Sequence, residues 1–299
     1  MGLRVFSDKA RPVHMGPFPL ERLTRLGSMP DLATVPAMRP VSFHRPDAPE
    51  SIVNAMGDYQ AMMDALRDGF VNGVAAGIPE DRVERANHIK AFGYFVDAAM
   101  VGICDLPASA VLDSPITNPD IDQLAQDLRT RQTKTLASGI DVIMADLKES
   151  MEAPPTTIEG HTHAIVFVFE NPRPPRADEP GTEWIMDAQA ERGCLRANEA
   201  ACVIANYIRL LGHGAKSHSG SATDVDLNRL AVAAGLTWAD GKRLVAPYIG
   251  PDFGLAAITC SFDLATDKPL APAADQPAFR TRGPAWWLGK GFRRSALNG

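Results

Sequence analysis

Residues 163–169 read His-Ala-Ile-Val-Phe-Val-Phe, so six consecutive apolar side chains follow one histidine. Successive side chains of a strand point to opposite faces. An unbroken run of β-branched and aromatic types therefore predicts a strand buried on both sides. Residues 100–104 and 255–260 are shorter runs of the same kind. Around these strands the chain is patterned for helices. Val53, Met56, Met63, Leu66 and Phe70 suggest an apolar face on a helix starting near Ser51, and Pro79-Glu-Asp81 reads as the start of another that runs to about Phe95. The strongest helix is expected over 194–211, where Ala197, Ala201, Ile204, Ile208 and Leu211 recur at helical spacing and Gly212 ends it. A short helix should run from Asp224-Val-Asp226 to Gly235. Residues 121–151 also hold apolar residues at helical spacing, with Ser138-Gly139 as a break. Helices, strand, helices and strand in that order predict a mixed α+β layer structure, without strict β-α alternation.

Eight of the 24 prolines lie in the first 49 residues, a density that helices and central strands exclude. The expected organisation is an extended arm over 1–50, a core over 51–270 and a basic arm or linker over 271–299. That last segment holds Arg280, Arg282, Lys290, Arg293 and Arg294.

The 30 Lys and Arg residues against 36 Asp and Glu give a formal charge of −6, which argues against a general nucleic-acid binder. No run approaches a membrane span, and the first residues lack the pattern of a secretory signal, so a soluble cytoplasmic protein is the expectation. Cys104, Cys194, Cys202 and Cys260 form neither a C-x2-C pair nor a ferredoxin run. No iron–sulfur cluster is expected within this chain; buried thiols are.

Four places carry residue types that chemistry uses. His161-Thr-His163 has the alternation of two metal ligands on one sheet face, or of a hydrogen-bonded strand edge. Residues 212–220, Gly-His-Gly-Ala-Lys-Ser-His-Ser-Gly, could cradle an anionic or polar cofactor group, or serve as a plain glycine-rich connection. Residues 235–243 again join glycines to a basic pair, Lys242 and Arg243, without matching a P-loop. Tyr94, Tyr207 and Tyr248 are candidate proton donors or packing residues. There is no G-x-S-x-G elbow and no G-x-G-x-x-G fingerprint.

A longer pattern is more specific. Residues 200–218 read Ala-Ala-Cys-Val-Ile-Ala-Asn-Tyr-Ile-Arg-Leu-Leu-Gly-His-Gly-Ala-Lys-Ser-His. They are followed by Leu-Ala-Val-Ala-Ala-Gly-Leu over 230–236, then Leu-Val-Ala-Pro-Tyr-Ile-Gly-Pro-Asp-Phe-Gly-Leu-Ala-Ala-Ile over 244–258, and Asp-Leu-Ala-Thr-Asp-Lys-Pro-Leu over 263–270. The succession resembles the corrinoid-binding core of cobalamin-dependent reductive dehalogenases and the related epoxyqueuosine reductases. Residues 11–23, 92–104 and 163–169 are compatible with the same core.

The resemblance implies a nitroreductase-like α+β core. In active members that core binds base-off cobalamin, a Tyr beside a basic residue donates the proton, and two iron–sulfur clusters follow the core. This chain departs from that pattern. The cluster cysteines are absent, Gly193-Cys-Leu195 stands where the family carries a Tyr before the long helix, and Trp238-Ala-Asp-Gly-Lys242 replaces a Gly-Arg-x-Gly turn. The chain looks most like the degenerate cobalamin-domain copy found in self-sufficient catabolic members. Its expected role is support of structure, dimerisation or partner docking beside a catalytic cobalamin domain and a ferredoxin-like module, in the same or a partner chain. Under this resemblance Gly214, Lys216, His218, Gly235 and Arg243 are the cofactor-contact candidates, and Tyr248 and Lys242 the catalytic ones. The alternatives are an active corrinoid reductase that borrows electrons from a partner, and a flavin-binding nitroreductase-like protein.

Overall fold

The computed structural model describes residues 11–122 and 157–277. The helical reading of 121–151 falls almost wholly outside these residues, as do the basic positions from Arg280 onward. The central sheet has four antiparallel strands in the order β1-β3-β8-β4: β1 is Met100–Asp105, β3 His163–Glu170, β8 Phe253–Cys260 and β4 Ala215–His218. In register, Ile103 faces Ile165, Ile165 faces Ile258, and Ile258 faces Ser217. Two short pairs complete the strands, β2 (Val111–Ile116) with β5 (Thr223–Val225) and β6 (Trp238–Asp240) with β7 (Arg243–Val245).

Strand alternation divides the core into two layers. Met100, Cys104, Ala164, Val166, Val168 and Ala257 face one side; Val101, Ile103, Ile165, Phe167, Phe169 and Ile258 face the other. Helices α2 (Arg82–Phe95) and α4 (Gln189–Leu210) cover the second side, and α5 (Leu227–Ala233) packs on the first. Helix α1 (Ile52–Ala65) lies against α4, and α3 (Thr182–Ile185) is a single turn before it. The strand over 163–170 is buried along nearly its whole length, as its composition requires. The result is the mixed α+β fold with helices flanking a sheet.

Side-chain caps set several helix starts. The oxygens of Ser51, Asp81 and Asp226 accept from Val53 N, Val83 N and both Asn228 N and Arg229 N. Gly212, with φ of 92°, follows the end of α4. Three expectations need correction. Helix α4 begins at Gln189, five residues before the expected start at Cys194, so Gly193 also lies inside it. The buried face of α1 is Val53, Gly57, Gln60, Ala61 and Asp64, whereas Phe70 lies beyond the helix and is 76% exposed. Asp224 and Val225 belong to β5, and the short helix starts only at Leu227.

Residues 11–50 hold three single 3-10 turns. Phe18, Leu20, Leu23, Leu32 and Val35 are buried in the same apolar layer as α5. Arg25 pairs with Leu270, Leu26 N donates to Pro269 O at 2.8 Å, and Ala271 N donates to Thr24 O at 3.0 Å.

Candidate functional site

The segment 212–220, read as a loop, holds a strand at its centre: β4 occupies the edge of the central sheet with all four residues buried. An open edge exposes unpaired backbone groups. Here the chain after α1 covers it, and Ser217 N donates to Arg67 O at 3.1 Å. Strand formation turns Lys216 and His218 inward, away from solvent.

Lys216 is 2% exposed, with Nζ 3.1 Å from Asp224 Oδ2 and 3.5 Å from Asp68 Oδ2. Arg67 also pairs with Asp224. A buried ammonium needs such partners to remain charged. His218 is fully enclosed. Its Nδ1 accepts the Asp224 backbone N–H at 3.3 Å, which places the ring proton on Nε2, 2.8 Å from Thr259 Oγ1. His161 Nδ1 lies 2.8 Å from the same hydroxyl, so Thr259 can accept from His218 and donate to His161. Burial, with Arg67 and Lys216 nearby, pushes the His218 pKa well below the usual histidine value, so the ring is neutral.

A second polar node adjoins the first. Asp64 on α1 is 2% exposed and accepts from Asn118 Nδ2 (2.9 Å), Asn198 Nδ2 (2.8 Å), Gln60 Nε2 (3.1 Å), Ser219 Oγ (2.7 Å) and Ser221 Oγ (2.5 Å). Burial raises its pKa, and these bonds pull the other way. Cys202 lies beside the node with its thiol 3.2 Å from both Met63 O and Ser217 Oγ, and burial pushes its pKa up to about 12. Of the groups around Asp64, Ser219 lay in a stretch singled out from sequence, but Asp64 itself did not. The node's one further signal was Asp64, a carboxylate in line with Val53, Gly57 and Ala61 on the inward face of α1.

The remaining candidates lie elsewhere. Gly214 borders His161, and its N–H donates to Ser261 Oγ at 3.0 Å. Gly235, at φ of 65°, is walled in by the Lys268 carbonyl and by Arg25, whose Nη1 bonds both Gly235 O (2.6 Å) and Lys268 O (2.8 Å). Lys242 is exposed in the turn joining β6 to β7. Tyr248 is 5% exposed; its ring stacks on Phe18 at 5.3 Å and its hydroxyl donates to Pro19 O at 3.2 Å. Burial raises its pKa, which weakens it as an acid. His161 and His163 find separate partners, His163 Nδ1 lying 2.8 Å from Thr162 Oγ1. Among the described residues no group of three or more His, Cys, Asp or Glu is placed to hold a metal ion.

Arg243 opens onto a cleft of about 480 Å³ lined also by Arg39, Cys194, Asn228, Leu244 and Phe253, and Tyr94 borders another of about 440 Å³. Two exposed guanidinium groups beside an apolar wall suit a small anionic amphiphile. Cys194 carries no activated thiolate, because burial pushes its pKa up to about 11. At this end of α4, Gly193 sits directly on Gly254 of β8.

No protein-family model and no curated protein matches the chain. Solved structures do. The catabolic reductive dehalogenase NpRdhA is 32% identical, with a TM-score of 0.67 over 91% of this chain and 32% of that one. The same enzyme in complex with 3-bromo-4-hydroxybenzoic acid matches at 31% identity and a TM-score of 0.66. A further matching structure at 32% identity is described as suggesting a mechanism for B12-dependent dehalogenation. An epoxyqueuosine reductase from Bacillus subtilis aligns at 12% identity with a TM-score of 0.36. The chain spans about a third of the length of the dehalogenase structures it matches.

Proposed function

Fold and sequence similarity link this chain to the reductive-dehalogenase and epoxyqueuosine-reductase superfamily, with its nitroreductase-like corrinoid fold, and on that premise we propose that it is a non-catalytic, vestigial cobalamin-domain module. The observation that carries this reading is the commitment of its polar side chains. Lys216 is enclosed and paired with Asp224, His218 is enclosed between the Asp224 N–H and the Thr259 hydroxyl, and the Tyr248 hydroxyl is held by Pro19. Gly235 is shut in by Lys268 and Arg25. Of the cofactor-contact and catalytic candidates that the resemblance implies, Arg243 and Lys242 remain exposed. These residues do not suit a corrinoid. Coverage of a third of the dehalogenase chain supports a partial module as well.

In this reading the module supports a catalytic cobalamin domain and a ferredoxin-like module, in the same or a partner chain. Those parts would remove halide reductively from organohalides in the cytoplasm. Anaerobic titration of the purified chain with cobalamin tests it. The expected spectrum is that of free cobalamin throughout, with no halide released when a chemical reductant is added. Stoichiometric binding with a base-off spectral change would overturn the vestigial reading, and halide release would establish the active-reductase alternative.

A further inference from the structure

Residues 43–58 and the turn at α3 frame a groove of about 1580 Å³, far from the buried polar nodes in chemistry and walled differently. Its apolar surface includes Phe43, Ala61, Trp184 and Met186, and Trp184 is 80% exposed. Its rim carries Glu50, Asp58, Asp120 and Glu183, none of which has an ion-pair partner among the described residues. The one arginine on the groove is already engaged: Arg45 Nη2 lies 2.8 Å from both Glu191 Oε1 and Asp187 O. An acidic rim around exposed aromatic surface calls for a basic, aromatic occupant.

Two segments of this chain lie outside the described residues and are long enough to fill the groove. Residues 123–156 carry five acids (Asp127, Asp141, Asp146, Glu149, Glu152) against four bases, so charge gives them no preference for it. Residues 278–299 carry Arg280, Arg282, Lys290, Arg293 and Arg294, no acid at all, and Phe279, Trp286, Trp287 and Phe292. Reach is sufficient. The chain is tied down at Gln276, whose amide bonds Thr24 and Ala271. At roughly 3.3 Å per extended residue, Lys290 reaches up to ~46 Å from there. That is more than twice the roughly 19 Å radius of gyration expected for this chain length.

We propose that residues 279–294 dock into this groove of their own chain. The arginines and Lys290 face Glu50, Asp58, Asp120 and Glu183, and the tryptophan pair covers Trp184 and Met186. The proposal goes beyond the supporting-module reading and does not depend on it.

Carbodiimide coupling of the full chain tests it, because Lys290 is the one amine side chain in 279–294 and the rim supplies four carboxylates. Peptide mass spectrometry should find Lys290 joined to one or more of the four rim acids. Yield should fall about tenfold in about 1 M salt, where screening acts over ~3 Å. It should fall similarly in the double variant Asp58→Asn, Glu183→Gln, with Glu50 and Asp120 left to react. Hydrogen exchange over 43–61 should rise when the five tail bases are changed to glutamine. Coupling of Lys290 only to acids outside the rim overturns the proposal, as does coupling of the rim to Lys134 or Lys148. So does coupling found only between light and heavy isotope-labelled copies, which would make a second copy the occupant.

Discussion

Gly193 of α4 and Gly254 of β8 meet backbone to backbone: a Cβ added at Gly254 would lie 2.4 Å from the Gly193 carbonyl carbon. This contact seats the first turns of the long helix on the sheet. The resemblance implied a Tyr just before the helix, but here the corresponding stretch lies within it, and a side chain at Gly193 would run into the Asn171 amide oxygen. Gly254→Ala forces the two elements apart and should cost about 1–3 kcal/mol. Chemical denaturation measures it, and an unchanged midpoint would show that the contact is looser than the geometry requires.

Asp64 concentrates five donors on one buried carboxylate. Asp64→Ala leaves them without an acceptor and should destabilise by about 3 kcal/mol or more. Asp64→Asn keeps the volume but turns an amide donor toward the serines and amides, so it should rescue only part of the loss. Full rescue by asparagine would mean that the charge is dispensable there.

Acid should destabilise the protein through its histidines. The pKa values of His161, His163, His213 and His218 are all lowered, with burial the largest cause in each. A group depressed in the folded state is protonated first in the unfolded chain. Its contribution is therefore fully present above about pH 6.5 and is lost as pH falls toward the folded value. For the enclosed His218 the slope approaches ~1.4 kcal/mol per pH unit over that window. Urea denaturation at pH 7 and at pH 5.5 should show the decline, and His218→Gln should flatten it. An identical pH dependence in wild type and variant would contradict the buried neutral ring.

Tyr248 holds the N-terminal residues down through Phe18 and Pro19. Tyr248→Phe keeps the ring stack and loses one hydrogen bond, a cost of about 0.5–1.5 kcal/mol. Hydrogen exchange should rise locally around residues 18–23. If exchange is unaltered, the hydroxyl contributes nothing to that attachment.

The elements that could be read from sequence are those in which local chemistry and burial agree. The strand over 163–170 is apolar on both faces because both faces are covered. Asp81 and Gly212 mark helix ends through capping and backbone freedom, which are local properties. The site was not legible in the same way. Lys216 and His218 stand between glycines in a stretch that reads as a polar cradle. They turn inward because β4 pairs with β8, because Thr259 of β8 hydrogen-bonds His218, and because Asp224 and the sequence-distant Asp68 neutralise Lys216. Asp64 looks like one more charge on a helix until Asn118, Asn198, Ser219 and Ser221 converge on it.

The sequence alone thus determined four of the five described helices, three of the four strands of the central sheet and the family likeness, since periodicity, caps and residue succession are written along the chain. The tertiary structure decided which polar residues are available for chemistry. That depends on long-range strand pairing and on partners that only folding brings within hydrogen-bond distance.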